Sequence, residues 1–314
     1  MRLVTRSDFD GLVCAVLLKQ VVDIDSIQFV HPKDLQDGVF EVTGADILAN
    51  VPFVPGCGLW FDHHVTELDR VVGKLDFEGE CRLAPSAARV VYDYYGGKER
   101  FPGLEELMEA VDKADSARFT REEILYPSGW PLLSFIMDAR TGLGRFKDYR
   151  ISNYQLMYDL IDACSHLGIT EILDMPDVRE RVNRYFEQDA IFRKMVLEHT
   201  RADGRVIVTD LRGVYPIYSG NRFLVYAMFP EQDQSIWVVD GLRGQNCVLA
   251  CGRSIIRAGA QTNIGALMRK YGGGGHEAAG TCQVPYEKAS EVLAEVVAAM
   301  DCPGQEKPAG RIAA

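Results

Sequence analysis

The chain contains no Cys-x-x-Cys pair and no paired zinc spacing, although eight cysteines are scattered at 14, 57, 81, 164, 247, 251, 282 and 302. A cysteine-built structural zinc module is therefore excluded. Reduced, packed thiols and a cytoplasmic protein are expected. No apolar run approaches the roughly 18 residues of a membrane span, so none is expected. The N-terminal Met1–Thr5 reads as a first strand and not as a signal peptide. Basic residues are also short: 34 Lys and Arg stand against 45 Asp and Glu, a net charge of −11. Holding long nucleic acid needs a positive track that displaces counterions. A short or compact phosphorylated partner suits this chain better. Internal repeats and low-complexity segments are absent as well.

What is present is enough apolar sequence, 47% of 314 residues, to bury a large core and divide into two domains. Strand patterns at Leu3–Val4, Ile27–Val30, Asp46–Val51 and Gly58–Phe61 alternate with helical ones at Leu12–Val22, Pro85–Tyr95 and Leu104–Ala114. That alternation predicts a parallel sheet with helices on both faces. The aromatic-rich stretch Phe146–Leu167, with Tyr149, Tyr154 and Tyr158, reads as packing between domains, with flanking of substrate bases as the alternative. A long helix is predicted over Val178–Thr200. Strands follow at Val206–Thr209, Val214–Ser219, Phe223–Phe229, Ser235–Val239 and Asn246–Ala250, and Val284–Met300 ends in a helix. The fold class is α/β: a parallel-sheet N-terminal domain and a smaller mixed α/β C-terminal domain across a cleft. The expected boundaries are 1–185, a helical linker 186–204, a second domain 205–300, and a disordered polar tail 301–314.

Three segments carry chemistry. Leu59-Trp60-Phe61-Asp62-His63-His64 is an apolar run that ends in an acid and two imidazoles, a donor set suited to Mn²⁺, Fe²⁺ or Zn²⁺. A strand would deliver these groups to the rim of a sheet, where ligands bind. Thr5-Arg6-Ser7-Asp8-Phe9-Asp10-Gly11 sets two carboxylates on a strand-to-helix turn. One Asp alone would read as a helix cap; with the distant Asp-His-His, a metal site is the better reading. Tyr271-Gly272-Gly273-Gly274-Gly275-His276 supplies a backbone that can approach a ligand closely and cradle an anion.

With these motifs in this order, from Asp8 to Gly280, the chain resembles the DHH-family phosphoesterases that carry a DHH-associated C-terminal domain with a Gly-Gly-Gly-His motif. The resemblance implies a two-metal site, with Mn²⁺ first and Mg²⁺, Fe²⁺ or Zn²⁺ as alternatives. The implied ligands are Asp8, Asp10, Asp46, His63 and Asp115. Asp37 and Asp112 are weaker candidates for the second and fourth motifs. It further implies Asp62 as orienter of a neighbouring imidazole, His64 near the leaving group, and Arg253, Gly274, Gly275 and His276 as substrate contacts. Asn263 reads as a helix cap, and Arg222 as a surface residue.

The chain departs from the family at Arg6, where a His ligand is expected. A guanidinium cannot ligate a metal. Arg6 therefore implies one tight and one weak metal, a phosphate clamp with bidentate geometry, or lost hydrolysis with binding retained. The expected activity is hydrolysis of short oligoribonucleotides or small phosphorylated nucleotides by metal-activated water. The alternatives are an exopolyphosphatase or pyrophosphatase, and a catalytically weakened nucleotide-binding regulator. No membrane partner is expected, and a homodimer is compatible with the sequence. Crowded carboxylates repel one another, so metal is also expected to support stability.

Overall fold

Strand β1 (Arg2–Thr5) shows how the first sheet is built. Leu3 and Val4 point to opposite faces, and both are fully buried. Both faces of the strand are therefore covered, the condition under which parallel strands read as unbroken apolar runs. The computed structural model describes residues 1–241 and 244–301. It divides into one unit of Met1–Phe119 with Pro127–Phe186, and a second of Thr120–Tyr126 with the chain from Glu187 onward.

In the first unit β1 pairs in parallel with β2 (Ser26–Phe29) and β3 (Asp46–Ala49); β4 (Leu59–Asp62) and β5 (Gly79–Cys81) continue outward from β3. The order is β2-β1-β3-β4-β5. The chain leaves β1 toward one edge and returns beside it as β3, so the β1/β3 boundary is a topological switch point. Ligands of open α/β sheets bind outside the carboxyl ends of the strands at such a point. Leu3, Ile47, Ala49 and Phe61 pack under the helix Phe9–Val21 and the helices Ala87–Tyr94 and Glu105–Asp115. Val4, Leu48 and Trp60 pack on the other face against Leu35, Phe53 and Val71. The expected parallel sheet with helices on both faces is what forms.

The helix Phe9–Val21 is buried without interruption from Phe9 to Leu18, because helices cover the side that the sheet does not. Its first turn fits only with glycine at position 11. A Cβ there would stand 2.1 Å from the Arg6 carbonyl oxygen and 2.7 Å from Thr5 Oγ1. The aromatic stretch packs, but among the described residues its contacts lie within this unit and not between domains. Tyr154 and Tyr158 lie against Phe29, and Tyr149 lies under the Arg181 guanidinium.

The second unit holds a mixed sheet of β6 (Thr200–Asp203), β7 (Val206–Asp210), β8 (Gln234–Asp240), β9 (Asn246–Arg253), β10 (Gly274–Gly275) and β11 (Ala279–Pro285), in the order β10-β11-β9-β8-β7-β6. Among the described residues of this sheet only β7 and β8 pair in parallel. Its core joins Val206, Ile236 and Leu249 to Ile264 and Met268 of the helix Ile264–Arg269, and to Val296 and Met300 of the helix Ala289–Asp301. Cys247 and Cys251 share the buried face of β9, and none of the seven described cysteines is in a disulfide.

Two strand expectations are corrected. Phe223–Phe229 contains a helix, Leu224–Met228. The run is apolar at every position, so it carries no period to tell a buried helix from a buried strand. Asn221 starts the turn by accepting the Phe223 N–H. Val214–Ser219 joins no sheet; Pro216 lacks the N–H that a paired strand would need there. The long helix runs Pro176–His199, and the unit division falls inside it. The tail expectation, apart from Asp301, lies outside the described residues.

Alanine normally favours a helix over glycine by up to about 1 kcal/mol. At Gly11 the close carbonyl reverses the sign. Gly11→Ala should cost roughly 1–3 kcal/mol, read as a lower urea midpoint at unchanged slope.

Candidate metal centre

The carboxyl ends of β1, β3 and β4 deliver the polar groups of the first unit to one place. β1 leads through Arg6 to Asp8 and Asp10, β3 ends before Asn50, and β4 ends in Asp62 and is followed by His63 and His64. The ligating atoms of Asp10, His63 and Asp115 lie within 4.8 Å of one another, and so do those of Asp62, His63 and His64. Residues far apart in sequence thus converge as donors of the kind that hold a divalent cation.

Each donor is oriented by backbone. Asp10, almost wholly buried, accepts the Ala87 N–H at 2.9 Å and the Ala88 N–H at 2.8 Å. These are the unpaired amides at the start of the helix Ala87–Tyr94, a natural seat for a carboxylate. His63 sets Nδ1 3.1 Å from the Ala84 carbonyl oxygen. In the neutral ring that contact places the proton on Nδ1 and turns the Nε2 lone pair inward. Nε2 is buried without a well-aligned hydrogen bond and stands 3.1 Å from Asp115 Oδ2 and 3.8 Å from Asp10 Oδ2. In its neutral form, which a bound cation would favour, this imidazole would offer Nε2 to a divalent ion beside two carboxylates.

Asp62 accepts the His63 backbone N–H at 2.8 Å and faces His64 Nδ1 at 2.7 Å. The expected partner of its carboxylate is therefore His64. The His64 ring is held by that contact, and its side chain remains 31% exposed.

The charges strain one another. Burial, then the charges of Asp115 and Asp8, push the Asp10 carboxyl up to about 7, against the opposing pull of His63 and the helix amides. Burial disfavours the His63 imidazolium, but Asp115 and Asp10 outweigh it and raise the group to about 9. Burial also opposes the His64 imidazolium, and the contact with Asp62 outweighs it, so that pKa is raised too.

Asp46 is a correction. It opens β3 at the end opposite the cluster, in register with Arg2. Its carboxylate is held by Arg2 Nε and Nη2, both at 2.7 Å, and by the Thr43 N–H. A parallel strand sends its two ends to opposite rims, so Asp46 cannot join groups that follow β1 and β4. The residue at the carboxyl end of β3 is Asn50, which the motif pattern in the sequence does not single out. It is buried, with φ 57°, a left-handed conformation that Asn tolerates better than most residues. Its Nδ2 donates to Asp8 Oδ1 at 3.0 Å. An Asn just past an apolar strand was the available signal.

Asp8 takes the cap role. Its Oδ1 also accepts the Gly11 N–H at 2.9 Å, and its Oδ2 faces Arg6 Nε at 3.1 Å. Asp112 accepts from Ser86 and from the Arg89 guanidinium. It ties the helix that carries Asp115 to the helix whose amides hold Asp10.

In the second unit Arg253, closing β9, donates to the Thr262 carbonyl and to Glu277. It braces the segment that leads to Asn263, which caps the next helix as expected. Gly275 is needed by the β10–β11 hairpin, since a Cβ would stand 2.3 Å from the Ala279 carbonyl oxygen, whereas Gly274 has open space beside it. His276 is exposed, and its N–H is bonded to the Ala279 carbonyl. Arg222 lies over the Phe223 ring.

In the presence of a chelator these shifts set a pH dependence. Asp10 rises from 3.8 to about 7 on folding and His63 from 6.5 to about 9. Both make the folded chain hold more protons than the unfolded one. The stabilisation from His63 is complete below pH 6.5 and is lost as pH rises through about 9; that from Asp10 is lost between about pH 4 and 7. The melting temperature should therefore fall from pH 6.5 to 9 in EDTA. The slope should flatten in His63→Gln.

No protein-family model matches the chain, and no curated protein does. Solved structures do. The pGpG-specific phosphodiesterase PggH from Vibrio cholerae is 50% identical, over 96% of this chain and 98% of that one, with a TM-score of 0.83. An exopolyphosphatase-related protein from Bacteroides fragilis is 12% identical over 95% of this chain and 91% of that one, with a TM-score of 0.53, a likeness of fold alone. Half of all positions shared with PggH along almost the full length of both chains, with an Asp-His-His triplet at the end of β4, leads to one assignment: the chain belongs to the DHH-family phosphoesterases and is a hydrolase of phosphate esters.

Proposed function

We propose that this phosphoesterase hydrolyses the phosphodiester bond of very short oligoribonucleotides, with a linear guanine dinucleotide such as pGpG as its substrate. The observation that carries this reading is the 50% identity to PggH over nearly all of both chains. The acidic balance of the chain supports it, since a dinucleotide needs no long positive track.

Asp10, His63 and Asp115 would hold the cation, with Mn²⁺ our first choice. The ion would neutralise phosphate charge and acidify a bound water. The remaining chemistry belongs to side chains. Ala87 and Ala88 fix Asp10 through their N–H groups. Ala84 fixes the His63 tautomer. Asp62 holds His64 with Nδ1 protonated and favours its charged form. His64 Nε2 would then present a proton to the leaving oxygen, as a general acid. Arg6, at the same strand ends and partly exposed, would contact a phosphoryl oxygen. Arg253, Gly274, Gly275 and His276 we assign to binding the substrate phosphate, in keeping with the open side of Gly274.

The test is turnover of pGpG, a longer RNA, polyphosphate and pyrophosphate by chelated protein reloaded with Mn²⁺. Release of GMP from pGpG should far exceed turnover of the others; preference for polyphosphate would overturn the substrate assignment. Asp10→Ala, His63→Ala and Asp115→Ala should each lower kcat by more than about a hundredfold. His64→Ala should cost roughly 10²–10⁴ in kcat with little change in KM.

A further inference from the structure

The polar groups at the ends of β1, β3 and β4 fall into two sets that behave differently. Asp10, His63 and Asp115 face one another with an unpartnered imidazole nitrogen among them. Asp8 is instead satisfied by its neighbours, while Asn50, which donates to it, keeps Oδ1 buried without a partner. Both Asp8 oxygens are engaged, Oδ1 by the Gly11 N–H and Asn50 Nδ2, and Oδ2 by Arg6 Nε. The orientation of the Asn50 amide follows from chemistry, since its oxygen turned toward Asp8 would set acceptor against acceptor. Two adjacent positions that would have to supply donors for a second ion thus hold a fixed cation and a neutral amide.

The other grouping, Asp62 with His63 and His64, leaves Asp62 Oδ2 buried without a partner, but it is not independent of the first. It shares His63 with the first, and His63 Nδ1 is committed to the Ala84 carbonyl. One inward lone pair serves one ion.

We infer that this centre takes a single divalent cation, held by Asp10, His63 and Asp115, and that the Arg6 guanidinium stands as the second positive charge beside Asp8. A dication placed at Asp8 would meet a permanent like charge already paired to that carboxylate. Arg6 has no further partner for its Nη groups among the described residues. Those two N–H₂ groups form the fork that matches phosphoryl oxygens. The centre therefore exchanges one labile ion for a charge that cannot dissociate, on the reading of a metal centre made above.

The count of ions tests this without recourse to activity. Chelated full-length protein is reloaded with excess Mn²⁺, desalted, and measured by elemental analysis and electron paramagnetic resonance. One Mn²⁺ per chain with an uncoupled six-line spectrum is expected. Asp115→Ala should lose that ion, which locates it. The double variant Arg6→His with Asn50→Asp should take up two, with the exchange-broadened spectrum of ions about 3.5–4 Å apart. Two ions per wild-type chain with a coupled spectrum would overturn the inference. So would a folded double variant that stays at one, because Arg6 and Asn50 would then not be the reason. If the double variant does not fold, the wild-type count decides alone. No ion at all would overturn the metal reading itself, an outcome separate from a count of two.

Discussion

The capture of the Asp10 carboxylate by the two amides that open the helix Ala87–Tyr94 is the contact on which the centre depends. It joins the turn after β1 to a helix nearly eighty residues later and buries a charge in the middle of the first unit. A buried carboxylate is costly unless several donors meet it, and a helix start supplies donors that otherwise have no partner. With Asp10 set there, the rest is placed by extension. Ser86 caps the same helix and binds Asp112, and Asp112 anchors the helix that ends at Asp115. A few hydrogen bonds of ordinary length thus hold two acids beside His63.

The centre holds itself ready at a cost in charge balance. Burial, with the charge of Asp115, raises the proton affinity of Asp8 and of Asp10, and His63 is drawn toward its charged form among them. Shifted pKa values of this kind cluster at functional sites. Arg6 relieves part of the rise at Asp8, and that relief distinguishes the two halves of the cluster. The same residue that departs from the family pattern is thus the one that makes the cluster unequal.

Much of the first unit was legible because its signals are local. Apolar runs interrupted by turns gave the parallel strands, and helical spacing in Leu104–Ala114 gave the helix that presents Asp115. The Asp-His-His triplet at the end of β4 announced the rim. Where local pattern was silent, the reading failed. Phe223–Phe229 is apolar throughout and carries no period, so only its buried surroundings make part of it a helix. Asp46 failed for another reason: a short strand has an acid at one end and an amide at the other, and pairing with β1 decides which rim each reaches.

The sequence by itself determined the fold class, the residue types of the centre and the departure at Arg6, because these are properties of composition, spacing and single positions. Only the tertiary structure decided that Asp8 is a capped and paired acid, that Asp46 belongs to a salt bridge with Arg2, and that Asn50 takes the strand end. The physical reason is direction. A carboxylate acts according to which donors reach it, and those donors come from strand register and helix starts far away in the chain.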